Sequence, residues 1–252
     1  MMMNENTTSI HIACESDIGK VRDHNEDAYF MDIENNLFIV SDGMGGSQAG
    51  ELASKVVVEV LPKIIYKRLE KLESHSTKSI KISLKSAIMD LGRRLLEESA
   101  ERVGLKGMGA TVVLVLLRDG KTYIANMGDS RAYLYRNKHL KQLTEDHSVV
   151  GILLRNCEIT PEEAKVHPAR GRLSRYVGME DEVFADVHTL AVKAGDRLLL
   201  CTDGLTNMLS DEVIANVLKK RSDPQTACQT MVDAANAAGG TDNITVVVAD
   251  LL

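Results

Sequence analysis

Several familiar chemistries are missing from this sequence. Its four cysteines, at positions 14, 157, 201 and 228, form no C-x-x-C pair. Zinc and dithiol redox motifs therefore have no support, and a reducing cytoplasm suits the chain best. No cysteine is followed six positions later by arginine, which excludes a phosphocysteine-forming C-x5-R loop. The longest apolar run, Ala110 to Leu117, is far short of the roughly 20 residues that span a bilayer. The opening MMMNENTTSI has neither the basic nor the apolar region of a secretory leader. A formal net charge of −6 leaves no basic excess for nucleic-acid phosphates. Gly43, Gly45, Gly46 and Gly50 do not satisfy G-x-G-x-x-G, and G-x4-G-K-[ST] occurs nowhere, so nucleotide-binding loops lose their signature.

What is present suits one large globular domain. The chain has 252 residues, 44% hydrophobic and 26% charged, enough to bury a substantial core. Ile10 to Ile18 and Ala28 to Val40 read as short strands. Apolar residues at helical spacing (Leu52, Val56, Val60, Ile64) predict a helix from Gln48 to about Leu72, with a kink expected at Pro62. A second helix follows from about Ile80 to Val103. TVVLVLL, TYIANM, RAYLYR, HLKQL, RLLLCT and ITVVVADL read as strands, and Ser210 and Asp223-Pro224 as helix starts. Thr144 to Gly178 is less regular, although Thr160-Pro161-Glu162-Glu163 has the form of a capped helix start. No linker, repeat or low-complexity tract divides the chain. Strand runs, then helices, then strand runs again favour an α+β layered sandwich with mainly antiparallel sheets over a doubly wound fold.

The aspartates carry the chemical signal. A lone Asp-Gly is more often a hairpin turn than a site, and Asp119-Gly120, between two strand-like runs, is read as one. Asp42-Gly43 and Asp203-Gly204 differ, because each follows an apolar strand and leads into a loop and a helix. Asp129, Asp242 and the pair Glu26-Asp27 also stand at strand edges. If those strands lie side by side, the acids converge as an all-oxygen cluster suited to Mg²⁺ or Mn²⁺. Spacing by itself leaves each of them open as a turn or cap residue.

Seven motifs in order complete the pattern: R-D-H-N-E-D-A from Arg22, S-D-G-M-G-G from Ser41, G-A-T from Gly109, G-D-S-R from Gly128, T-E-D-H-S from Thr144, C-T-D-G-L from Cys201 and G-G-T-D-N-I-T from Gly239. Together they resemble the bacterial metal-dependent serine/threonine protein phosphatases, the PP2C or PPM family, over essentially the whole chain. The resemblance implies a four-layer αββα sandwich, as one domain over residues 9–252 with a flap-like insertion at about 149–178. It implies that Asp42 bridges two Mn²⁺ or Mg²⁺ ions, that Asp203 and Asp242 complete one shell, and that Asp27 and the Gly43 carbonyl serve the other. Asp129 matches a residue that helps to hold a third, weaker metal. Arg22 matches the phosphate-binding arginine, and Glu26 is a candidate for orienting metal-bound water. The glycines of the Asp42 loop are expected to let backbone crowd against metal.

The implied reaction is direct attack of a metal-bridging hydroxide on phosphoserine or phosphothreonine, opposing a bacterial Ser/Thr kinase. Phosphorylated proteins are the implied partners, and the chain is expected to be a cytoplasmic monomer. No histidine stands at Met44 or Ser47, where relatives carry one, so the proton donor is unassigned, with His147 and His24 as weak candidates. The flap's Arg155, Arg170, Arg172 and Arg175 either meet phosphorylated substrates or form an ordinary solvated surface. The competing functions are a catalytically silent phosphoprotein-binding scaffold of the same fold and a small-phosphoester hydrolase.

Overall fold

Strands that are apolar on both faces need cover on both sides, and that requirement organises the molecule. The computed structural model describes residues 9–102 and 104–252. Residues 1–8, which hold most of the opening stretch read for a leader, and Val103, the expected end of the second helix, lie outside the described residues. One sheet orders β1 (Ile10–Asp17), β11 (Ile244–Leu251), β10 (Arg197–Cys201), β7 (Arg131–Arg136) and β8 (His139–Gln142). The other orders β2 (Asp27–Asp32), β3 (Leu37–Met44), β5 (Val112–Arg118), β6 (Lys121–Met127) and β9 (Asp186–Leu190), with β4 (Gly109–Ala110) pairing the end of β3. Every strand pairing is antiparallel.

Side-chain alternation along each strand assigns the layers. Val113 and Val115 of β5 join Phe38 and Val40 of β3 in a core between the sheets, with Leu198 and Leu200 of β10 and Val247 of β11. The intervening Val112, Leu114 and Leu116 face the opposite way, against Leu61, Ile65, Leu84, Ile88 and Leu91 of α1 (Ser47–Glu70) and α2 (Thr77–Glu101). On the far side, Val246 and Val248 of β11 pack with Ile214 and Leu218 of α6 (Asp211–Lys220) and Met231 and Val232 of α7 (Pro224–Ala237). Three apolar interfaces separate four layers, the αββα sandwich expected from the sequence.

Local chemistry sets the ends of the elements. Ser76, Ser148, Thr160, Ser210 and Asp223 each cap a helix with a side-chain oxygen, and Thr160 with Glu163 forms the full capping box. Asp119 and Gly120 take φ of 52° and 70° in the turn between β5 and β6, the left-handed pair that a two-residue hairpin requires. α1 continues through Pro62. Two expectations change. The region read as irregular contains α3 (Val149–Arg155), too short to show a helical period, besides α4 (Pro161–Lys165), which begins at the capped start read at Thr160. Strand β3 runs on through Asp42 and Gly43 to Met44, and Asp203 itself begins α5 (Asp203–Thr206), so no loop follows either aspartate directly. No described helix is long and apolar enough to cross a membrane.

Leu200 is fully buried between the sheets, so Leu200→Ala should cost about 2–5 kcal/mol. Denaturant unfolding should show a lower midpoint with an unchanged slope.

Candidate active site

Both sheets deliver acids to one end of the sandwich. Asp27, the first residue of β2, pairs directly with Asp42 of β3, and residues directly opposite in an antiparallel pair project to the same face. Asp203 follows β10 and Asp242 precedes β11, which are neighbours in the other sheet. Asp129 lies between β6 and β7, where the chain passes from one sheet to the other. Thr111 fixes the backbone at Asp42. Its hydroxyl accepts from the Asp42 N–H at 2.9 Å, and its own N–H donates to the Asp42 carbonyl at 2.8 Å. The Thr111 and Ser130 hydroxyls share a 2.6 Å hydrogen bond, which ties the G-A-T motif to G-D-S-R.

Three of these carboxylates are each held by a different neighbour. Thr202 donates its hydroxyl to Asp27 Oδ2 at 2.8 Å, and Asn207 donates Nδ2 to Asp203 Oδ2 at 2.8 Å. Arg22 donates Nη2 to Asp242 Oδ2 at 2.8 Å. The second oxygens, Asp27 Oδ1 and Asp203 Oδ1, are buried without a hydrogen-bond partner. Burial is the main force on the acids, pushing Asp27 up to about 7. It also lifts Asp42 well above the usual carboxylate range, with the charges of Asp27, Asp203, Asp129 and Asp242 adding to it. Burial and then Asp203 raise Asp129, while burial and then Asp242 raise Asp203. Among the described residues no three His, Cys, Asp or Glu side chains are already gathered as ligands around one point. The chemistry of these acids is nevertheless that of hard oxygen donors, and the two unpartnered buried oxygens suit a hard divalent cation.

Asn243 positions the arginine. Its Nδ2 donates to the carbonyls of Ile18 and His24, both at 2.9 Å, while its Oδ1 accepts from the Glu26 N–H at 2.8 Å. The loop carrying Arg22 is thus stitched to the start of β11. The Arg22 side chain is 50% exposed, which leaves its guanidinium accessible to a ligand. Its bond to Asp242 holds it all the more firmly in the charged form.

The glycines are explained differently from expectation. A Cβ at Gly43 would lie 1.9 Å from the Gly50 carbonyl oxygen, and one at Gly50 would lie 1.9 Å from Glu26 Oε2. What crowds these positions is the chain itself: α1 enters against the end of β3, with the Glu26 carboxylate seated on Gly50. Burial raises the Glu26 carboxyl.

Sequence reasoning missed the residues that act through others. Thr111, Thr202, Asn207 and Asn243 lie within or beside the quoted motifs; the partners of Thr111, Thr202 and Asn243 are remote in sequence, and only Asn207 bonds locally, to Asp203 four residues before it. Arg131 grips both oxygens of Asp146 at 2.9 and 2.7 Å. His147 is fully buried; its Nδ1 accepts from the Gly128 N–H at 3.3 Å and its Nε2 faces Asp186 Oδ2 at 3.1 Å. With both nitrogens engaged it is a structural residue, whereas His24 is exposed. A cleft of about 530 Å³ runs from Asp129 and Asp203 beneath α3 and α4, lined also by Gly151, Arg170 and Asn207. Three of the four flap arginines bond within the chain: Arg155 to the Asp146 carbonyl, Arg170 to Asn207 Oδ1, and Arg175 to Asp186. Arg172 is exposed.

Gly43→Ala should destabilise the fold by more than about 2 kcal/mol, since the obstacle is backbone; thermal unfolding measures this. Burial lowers the His147 pKa below its ordinary 6.5, so the unfolded chain takes up the proton first. The stability this contributes is complete above pH 6.5 and lost as pH falls below it. His147→Gln should flatten that part of a stability–pH profile, as chemical denaturation at a series of pH values will show.

Comparison with known proteins agrees with this geometry. The family model for Protein phosphatase 2C matches residues 20–238. The serine/threonine phosphatase stp of Listeria monocytogenes is 37% identical over 96% of each chain. The crystal structure of serine/threonine phosphatase Stp1 from Staphylococcus aureus is 32% identical, covers 100% of this chain and 99% of its own, and superposes with a TM-score of 0.87. The catalytic domain of the protein phosphatase PstP, solved in complex with 2 manganese ions, is 30% identical over 96% of this chain and 98% of its own, with a TM-score of 0.79. The chain therefore belongs to the protein phosphatase 2C family, with the serine/threonine phosphatases of bacteria.

Proposed function

We propose that the protein hydrolyses phosphoserine and phosphothreonine in other proteins, with water attacking phosphorus in line and the serine or threonine hydroxyl leaving. The observation that carries this reading is the set of mutually repelling carboxylates with two unpartnered buried oxygens beside an accessible arginine. Asp27, Asp42, Asp203, Asp242 and the Gly43 carbonyl would hold two Mn²⁺ or Mg²⁺ ions, and Asp129 a third. When bound, such ions supply Lewis acidity toward phosphoryl oxygens and acidify water.

The chain's own residues do the rest. Arg22, paired with Asp242 through Nη2 alone and half exposed, has further N–H donors to offer to phosphate oxygens, a geometry lysine lacks. Thr111 and Thr202 hold Asp42 and Asp27 in place. Asn207 holds one Asp203 oxygen and leaves the other for a ligand. Residues 9–252 are read as one phosphatase unit, with 149–178 as a flap over the cleft. Phosphorylated proteins, including those of a cognate Ser/Thr kinase, are the proposed substrates of a cytoplasmic monomer.

Release of phosphate from a phosphothreonine peptide should require Mn²⁺ or Mg²⁺ and stop with chelator. Asp203→Asn should remove most of that turnover and still fold. Turnover without metal, or an unaffected Asp203→Asn variant, would sink the mechanism, and a folded metal-binding protein without turnover would be a scaffold. Asn207→Ala should lower metal affinity or kcat by about 10–100-fold, with affinity read by calorimetry.

A further inference from the structure

Charge is unevenly distributed along this acidic chain. Between Leu61 and Leu95 there are nine lysines and arginines against three acids. That is a local net charge of +6 in a chain of −6, leaving −12 on the rest. The segment is the last ten residues of α1, the turn after it and the first nineteen of α2, in the outer layer that covers the sheet containing β3; the acids of that layer lie mostly outside it, at Glu51, Glu59, Glu97, Glu98 and Glu101. Its internal pairing does not neutralise it. Asp90 is shared by Arg68 and Arg93, and among the described residues Lys67, Lys71 and Arg94 have no ion-pair partner.

These cations share a recess. A cleft of about 310 Å³ between the two helices is lined by Ile64, Lys67, Arg68, Lys71, Asp90 and Arg94. Lys67, Lys71 and Arg94 are all exposed.

We propose that this recess is a docking site for an acidic segment of a protein partner, separate from the catalytic end. Charge complementarity selects the polyanion. A narrow recess between helices accepts single carboxylate or phosphate groups on a flexible chain, whereas a lipid surface or duplex needs a broad face. Lys67 and Lys71 lie about 30 Å along α1 from its start near Gly43, at 1.5 Å per residue. About nine extended residues span that distance, so one substrate chain can occupy both places. The nature of the partner rests on the phosphatase reading; the anion site does not.

The test is fluorescence anisotropy with a labelled peptide of about ten residues, mostly glutamate and without phosphothreonine. The wild type should bind it, and more weakly as salt rises. K67E/K71E/R94E should lose roughly tenfold or more in affinity at low salt, as should the milder K67Q/K71Q/R94Q to a smaller degree. K219E/K220E, on the opposite helical layer, should bind as the wild type does. Hydrolysis of a small phosphoester should be equal in all four proteins. Equal peptide binding by wild type and both triple variants, or absence of binding, overturns the docking site. Retention of the wild type on phosphatidylserine vesicles without peptide binding overturns it in favour of a membrane. Peptide binding by a wild type without turnover overturns the phosphatase reading and leaves the docking site standing.

Discussion

The mutual repulsion of carboxylates at one end of the sandwich is the constraint on which the rest depends. Asp27, Asp42, Asp129 and Asp203 are all pushed up by burial, and each adds to a neighbour's cost of ionising or bears it. Nothing local would bring such groups together. They are held by three apolar interfaces that register two sheets against each other and by neutral donors that fix one oxygen at a time. The site is therefore a consequence of packing, and its reactivity comes from charge that the packing compels.

A second tier of polar residues converts this scaffold into precise placement. Thr111 ties β3 to the chain between the sheets, and Ser130 supports it. Asn243 fixes three backbone groups in the loop that bears Arg22. Asn207 reaches Asp203 with its amide nitrogen and accepts from Arg170 with its oxygen. One side chain thus links Arg170, beyond α4, to the carboxylate cluster.

Much of the fold was legible because its signals are local. The continuous β-branched and apolar run TVVLVLL, the helical spacing after Gln48, the capping box at Thr160 and the Asp119-Gly120 turn each have a physical cause within a few residues. Helix α3 was not legible, since two turns show no period, whereas the start of α4 was marked by its capping box. The seven motifs contain Thr111, Thr202 and Asn243, but did not show which acids and backbone groups those hydroxyls and that amide hold. The glycines at 43 and 50 were read as making room for metal, while the close approach is between Gly43, Gly50 and Glu26.

By itself the sequence determined most of the elements, their apolar faces, the family and the candidate acids, because periodicity, caps and ordered motifs are properties of neighbouring residues; α3 and β9 (Asp186–Leu190) were not among the elements it showed. Only the tertiary structure decided which acids meet, which of their oxygens stay unpartnered, and that His147 is tied at both nitrogens. It also decided that cations spread over two helices share one recess. Those facts depend on contacts between residues far apart in sequence, fixed only when both sheets and their helical covers pack together.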